Sequence, residues 1–416
     1  MQAAGTRGAA LLFRPLIYSL ILASAAAQFA IVPIMPNYAH RLGLSGLQQG
    51  MVLGATGLAA LAVSLPAGAL SDRFGARRIT LWAGLMMTIA MLGQSFASNF
   101  AALFAARLAF GMGYGMVWTA GVCWLVGAAA GGSAVGGSVA CSGVGGVAGP
   151  AISGVLVQHL GLAVPSLATA GCFAVTTAGL AALRMPASPA AARGRTGASL
   201  RAAARDRNVV CACVAVVIAG LTSGVSALLV PAQLHDAGAS AARIGLVYAI
   251  SGMLFVVGST LIASAGRRAL KLPVICGALL AVVAALSPAA VSPAPLAIVT
   301  MLCVTTAARS VLWTVSYPLA AEAAEQDGVG TGAVIGLLNG VWAAMAVISP
   351  LAAAAVAEHL GARAAFGLTQ IACAAALGVT VAAAWRARHP LKQLPDTSFG
   401  QLQQHITSGA SGKVRR

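Results

Sequence analysis

GALSDRFGARR, Gly68 to Arg78, is the stretch whose reading decides the fold. In a chain with only 8% charged residues it gathers Asp72, Arg73, Arg77 and Arg78 within seven positions, between two long apolar runs. Gly75 supplies a turn where a side chain would clash. Charge this dense at so short a break predicts a tight loop joining two membrane-spanning helices. The composition agrees, because a chain of 416 residues that is 59% hydrophobic, with mean hydropathy +0.89, has more apolar surface than a water-soluble core can hide.

About 20 apolar residues cross a bilayer. Twelve such windows follow one another: 15–37, 47–70, 79–97, 100–127, 133–157 and 162–184, then 209–233, 244–265, 273–291, 295–320, 329–354 and 362–385. Residues 1–184 are therefore expected to form one six-helix bundle and residues 209–385 a second. Residues 185–208, basic and rich in Ala, Pro and Gly, are expected to be a linker near anionic headgroups, and residues 386–416 a polar tail. Ala23, Ser24 and Ala25 have the form of a signal-peptide cleavage site, but the apolar run continues to Met35, so the first window reads as a retained helix.

Basic residues set the orientation. Twenty of the 25 Lys and Arg residues lie before the first window, in the Gly68–Arg78 loop, from Arg184 to Arg207, from Arg267 to Lys271, or after Trp385. With alternating helices these segments share one side, which the positive-inside rule makes the cytoplasm, along with both termini. The net charge of +17 thus reads as topology and lipid contact, not nucleic-acid binding. The eight cysteines all lie in apolar windows, with no C-x-x-C and no histidine at ligand spacing, so they read as small side chains between helices. No metal or cofactor is expected. An Arg-rich, Ala- and Gly-rich composition suggests a GC-rich bacterial genome and hence an inner-membrane location.

The two halves carry traces of duplication. Pro36, His40 and Gly43 match Pro231, His235 and Gly238; Arg77 and Arg78 match Arg267 and Arg268; Ala105 to Arg107 match Ala307 to Arg309; Pro150 and His159 to Gly161 match Pro350 and His359 to Gly361. These matches keep one order and similar offsets, as a parallel two-half repeat requires. The second copy of the charged loop reads ASAGRR and has lost the acid.

GALSDRFGARR resembles the loop between helices 2 and 3 of the major facilitator superfamily. Two further stretches extend the resemblance to its twelve-helix drug/proton antiporter group. RLAFGMGYG, opened by Arg107, resembles the family's helix 4 pattern, and Gly136, Gly145, Gly149, Pro150 and Gly154 follow its helix 5 antiporter motif, with Ser153 in place of one glycine. Pro33 and Pro36 resemble a proline pair in helix 1 of drug exporters. The resemblance implies two six-helix bundles, an all-α membrane fold working by alternating access, and a switch loop of Gly68, Asp72, Arg73, Gly75, Arg77 and Arg78. It also implies that Asp72 meets the start of helix 11, near Gly330 to Gly332, when the cytoplasmic side is closed.

Helices 1, 4, 7 and 10 line the family's cavity, which nominates Gln28, Arg107, Tyr114, Trp118, Ser223, Arg309, Trp313 and Tyr317, with Thr222 and Ser226 beside them and Asn339 on helix 11. Gly149 is expected to pack against a helix of the other half, and Gly332, Gly336 and Gly340 on helix 11 to form a second small-residue seam. An intramembrane arginine is costly, at about +2.5 to +3.5 kcal/mol on insertion scales, and faces either a cavity or backbone carbonyls. No acid falls in mid-span, which leaves Asp72 as the nearest titrating candidate if protons are coupled. The first functional expectation is a monomeric exporter of small hydrophobic organic molecules, with proton antiport open. An organic-anion carrier using Arg107 and Arg309 is the alternative, and a non-transporting sensor a third reading. An enzyme is not expected, because no cluster of nucleophile, base and acid is visible.

Overall fold

The computed structural model describes residues 2–129, 133–183, 206–269, 271–326 and 331–388. Among these residues the chain is helical, without a strand. In the first half, α1 is Gln2–Leu42, α2 Gly46–Phe74, α3 Ala76–Ser95, α5 Ser133–Leu160 and α6 Val164–Ala182. Between α3 and α5, α4 runs Phe100–Met116, passes through a π-turn at Val117–Gly121 and continues as Val122–Ala129. The second half comprises α7 (Arg207–Asp236), α8 (Ala241–Ala265), α9 (Leu272–Val291), α10 (Pro295–Gln326), α11 (Thr331–Leu360) and α12 (Ala362–Arg388). The linker 185–208 lies outside the described residues except for its last three, as does most of the tail 386–416.

Eleven of these helices contain stretches long and apolar enough to cross a membrane. The twelfth, α3, opens on Arg77 and Arg78 and closes on Gln94, so its 20 residues leave too short an apolar run to qualify alone. Mid-helix Ile89, Val175, Leu261 and Ile371 are each at least 60% exposed. So wide a belt of uncovered aliphatic surface is stable against lipid and would aggregate in water.

The starts of several helices follow from local sequence. Ser45 and Gln48 form a reciprocal capping box on α2, Asn99 caps α4, Asp206 caps α7 through the Asn208 and Val209 amides, and Ser240 caps α8. Among the described residues six glycines take positive φ, and they form three pairs across the repeat: Gly43 with Gly238, Gly75 with Gly266, and Gly161 with Gly361. The chain turns at equivalent points in both halves because each turn needs a backbone conformation that disfavours Cβ.

Helix packing repeats as well. In the first half α1 lies on α5 and α6, α2 on α4, and α3 on α4 and α6; in the second, α7 lies on α11 and α12, α8 on α10, and α9 on α10 and α12. Each half has its own apolar core, one around Phe13, Trp124, Phe110 and Phe173 and the other around Leu279, Val282, Leu312 and Phe366. The halves meet mainly through two reciprocal pairs, α2 with α11 and α5 with α8.

Candidate functional site

The two reciprocal pairs define where the halves touch and where they part. Along α2, Gly46, Gly50, Gly54 and Gly57 face α11: a methyl group at Gly50 would stand 2.8 Å from the Pro350 carbonyl oxygen, and one at Gly57 3.0 Å from the Ala346 Cβ. On the other side, a methyl group at Gly245 of α8 would collide with the Pro150 carbonyl, and one at Gly252 would press on Val147 at 3.2 Å. Gly50 and Gly57 are the repeat mates of Gly245 and Gly252 at one offset, 195 residues. Glycine on both seams permits backbone-to-backbone approach, the mode by which membrane helices associate without a hydrophobic driving force. At the end of the α2 seam the Glu358 carboxylate accepts a hydrogen bond from the Leu47 amide at 2.8 Å, so an acid of α11 caps the N-terminus of α2 across the interface.

The α2–α11 seam stops short of the end at which α2 turns into α3. A methyl group at Gly336 or Gly340 of α11, or at Gly68 of α2, would meet nothing within 4 Å. The halves therefore splay apart on the side of the Gly68–Arg78 stretch and close on the opposite side. This corrects the expectation of a seam at Gly336 and Gly340; the side of Gly332 lies outside the described residues.

Helix α5 also packs differently from expectation. Gly145 and Gly149 fit against the Leu22 and Ala26 carbonyls of α1 in their own half, and of the antiporter motif only Gly154, with the Pro150 carbonyl, faces the other half at α8. The side of Gly136 lies outside the described residues. Ser153, the departure from the motif, donates to the Ala30 carbonyl at 2.8 Å and so adds a bond between α5 and α1. In the second half the same close approach is made with the glycines on the partner helix, Gly220 and Gly224 of α7 meeting Met345 and Ser349 of α11. That exchange explains why α11 lacks the α5 glycines.

Arg107 is sealed within the first half, with no exposed surface. Its Nη2 donates to Gln28 Oε1 at 2.9 Å, its guanidinium lies over the Phe110 ring at 4.9 Å, and Nε and Nη1 are buried without a partner. The residue thus reaches no open surface of its own, and among the described residues its one side-chain hydrogen bond is to half-buried Gln28 of α1. Its mate Arg309 is half-buried and makes one long contact, 3.4 Å to the Thr306 hydroxyl. Tyr248 OH donates to the Ser226 carbonyl at 2.7 Å, tying α8 to α7. Thr222 bonds its own helix, and Ser223 is half-buried beside it.

The remaining nominated residues form two aromatic groups. In α4, Phe110, Tyr114 and Trp118 make a ladder with centroid spacings of 6.0 and 6.3 Å, and the π-turn begins one residue before Trp118. In the second half Trp313 lies 5.0 Å from Tyr317, and Tyr317 donates to Asn339 Oδ1 at 2.7 Å. A tryptophan that the sequence motifs did not nominate, Trp342, meets Trp313 edge-on at 5.8 Å. Its signal was its place three residues after Asn339 on one helix face.

The stretch Gly68–Arg78, expected as a loop, is helical except at Gly75, whose positive φ turns α2 into α3; on it Asp72, Arg73 and Arg78 are exposed, and Arg73 stacks on Phe74 at 5.2 Å. Arg77 does something else: its Nη2 donates to the Ala181 and Leu183 carbonyls at 2.8 and 2.9 Å, capping the C-terminus of α6. Gly330, at the expected meeting point of Asp72 with α11, lies outside the described residues. Described acidic side chains stay at helix ends, as with Asp72, Asp206, Asp236 and Glu358. Among the described residues no group of three His, Cys, Asp or Glu side chains could hold a metal, and the eight cysteines are unpaired.

The family model of the Major Facilitator Superfamily matches residues 17–335 and 212–415. The chain belongs to that superfamily. Among solved structures it is similar to a bacterial homolog of the human lysosomal transporter Spinster in an inward-facing, unoccupied conformation, with TM-score 0.73 at 14% identity over 91% of this chain and 97% of that one. It is also similar to the nucleoside transporter NupG, with TM-score 0.71 at 12% identity over 90% and 98% of the two chains. No curated protein sequence matches. The structural likenesses show the fold that the family shares, and the superfamily assignment makes this chain a multi-pass membrane protein of a transporter family.

Proposed function

We propose that this protein is a secondary transporter that exports small, largely hydrophobic organic molecules by alternating access. The observation that carries the reading is the asymmetry of the two seams: glycine-lined contacts close the pathway at one end, and the same helix faces stand apart at the other. A rocking motion about these contacts would exchange the open and closed ends. The basic segments at the open end support a reading in which that end faces the cytoplasm of a bacterial inner membrane. Each half completes its own core within one chain, which supports a monomer as the working unit.

The pathway's nominated groups are aromatic and hydroxyl side chains with few amides, a lining that favours apolar organic substrates over sugars. Proton antiport would have to use acids at the ends of helices, Asp72 on the open side or Glu358 on the closed side. A second reading, transport of organic anions, has its own support in the unpaired Nε and Nη1 of Arg107 and the weakly bonded Arg309. Flux into proteoliposomes, measured with pH gradients of either sign and matched hydrophobic amines, neutral arenes and carboxylates, separates the two. Saturable, gradient-dependent movement of the neutral or cationic compounds supports the first reading. Movement of the carboxylates alone replaces it with the second, and no movement of any compound removes both.

A further inference from the structure

We infer that Trp313, Trp342, Tyr317 and Asn339 form a subsite for a flat aromatic ring that carries a hydrogen-bond acceptor at its edge. The inference rests on the transporter reading and gives it a substrate class. It begins with the face of α11. The residues of α11 that touch α2 are Ala343, Ala346, Val347, Pro350, Ala354 and Glu358, one stripe at helical spacing. Gly340, Asn339 and Gly336 lie three, four and seven residues before the first of these, on the same stripe. These positions would meet α2 if the seam continued, but the halves have parted there, and Asn339 and Gly336 are exposed. The stripe therefore looks into the gap between the halves. Across the gap the α2 stripe continues in the same way, through Leu61, which is 42% exposed, to Gly68 with its open surroundings.

Behind Asn339 the wall is held rigid. Val209, Ala212 and Val216 of α7, Ala320 and Ala323 of α10, and Val334 and Leu338 of α11 form a buried cluster, with the aromatic side chains packed on it as half-buried neighbours. Trp313 and Trp342 stand at 77° to one another, so an aromatic ring entering beside them can meet one indole face to face and the other by its edge. Ring quadrupoles favour both arrangements. Tyr317 occupies Asn339 Oδ1 as donor, which fixes the amide with its NH2 end toward the gap. That end donates and cannot accept, so the complementary ligand edge is an acceptor such as a carbonyl or ring nitrogen. The cluster contains no acid, so a cation would have the aromatic faces alone to hold it, without a counter-charge. Absence of Cβ at Gly336 and Gly340 leaves room beside the amide for a planar group to lie flat against α11.

The test uses purified full-length protein and two probes that share a carboxamide and a two-ring carbon skeleton, flat aromatic 2-naphthamide and its puckered, fully saturated counterpart. Binding is measured by titration calorimetry in detergent, and thermal unfolding is recorded for every variant. Wild type should bind 2-naphthamide about three- to tenfold more tightly than the saturated amide. Trp342→Leu should abolish that preference, Trp342→Phe should restore much of it, and Asn339→Leu should weaken both amides alike, all with unfolding temperatures close to wild type. Equal affinity for the two probes in wild type, or a preference that survives Trp342→Leu, overturns the subsite. Proteoliposome flux keeps the two readings apart: transport of the same probes that ignores Trp342 removes the subsite and leaves the transporter, whereas absence of flux of these probes and of the amines, arenes and carboxylates above removes the transporter reading itself.

Discussion

The two ends of α2 sit in opposite circumstances. At its start, Gly46 to Gly57 lie tight on α11 and the Leu47 amide is capped by Glu358; at its finish, Gly68 has open space and Asp72 is exposed. One helix of 29 residues thus shows a closed contact and an open one on the same face. Small residues alone do not make a contact, since Gly336 and Gly340 of α11 have the spacing of a seam and touch nothing. What separates the ends is which pair of helix faces the state of the molecule brings together.

The largest expected effect comes from glycines buried inside a half, which cannot part when the gates move. Gly149→Leu drives a side chain into the Ala26 backbone of α1, and overpacking of this kind costs about 1–3 kcal/mol and at times more. Loss of folded protein in size-exclusion profiles is the expected outcome. A stable Gly149→Leu protein with altered flux would instead make the α1–α5 contact one that moves.

At the closed gate, Gly50→Leu or Gly245→Leu should leave each half folded and lower flux at least tenfold, since neither seam can then close against a prolyl carbonyl. Gly336→Leu, in open space here, should leave the unfolding temperature unchanged and should slow flux only when the opposite end has to close. Equal effects of Gly50→Leu and Gly336→Leu on stability would erase the distinction between the ends.

Arg107 tests whether a residue sealed within one half still acts on the pathway. Arg107→Met keeps an unbranched apolar stem while deleting the guanidinium, which lies over Phe110 and has two unpaired nitrogens, so the fold should survive within a few degrees of unfolding temperature. Flux should fall about tenfold or more if the charge acts through Gln28. Unfolding of Arg107→Met would mark the residue as structural.

The smallest effect is expected at the latch. A carboxylate at a helix N-terminus contributes roughly 0.3–1 kcal/mol, so Glu358→Gln should move the population of the closed end by about two- to fivefold. Accessibility of a cysteine at position 47 to a membrane-impermeant maleimide reads that shift. No change would reduce the Leu47–Glu358 bond to a consequence of closure.

Most of the fold was legible because membrane helices announce themselves by length and hydropathy, and because the charged Gly68–Arg78 stretch marks the break between two of them, although the structure narrows that break to the single residue Gly75 and keeps the charges on the ends of α2 and α3. The repeat was legible in Pro36, Gly43, Arg77 and Pro150, and the paired positive-φ glycines Gly43 and Gly238 show the physical constraint behind two of those marks. Partners across a helix interface were not legible. Among 49 glycines, the four on α2 that bind α11 look no different from those on α11 that bind nothing. The 195-residue offset linking Gly50 to Gly245 and Gly57 to Gly252 was the available signal. Arg77 could not be told from Arg73 and Arg78, because its capping of α6 depends on a helix end over a hundred residues away. Trp342 lay on a helix that resemblance places outside the central four, and only the splay of α11 from α2 turns it toward the gap.

Distances across both ends of one interface test the account most directly. In a variant with its eight native cysteines replaced, spin labels at positions 68 and 336 report the open end, and labels at 47 and 360 report the closed end. In lipid nanodiscs, double electron–electron resonance should give two distance populations at each site, with the long distance at one end always accompanying the short distance at the other. Asp72→Asn should favour the population in which 68 and 336 are far apart. Distances that broaden at both ends together, or a single fixed population at each that no transported compound shifts, would contradict alternating access.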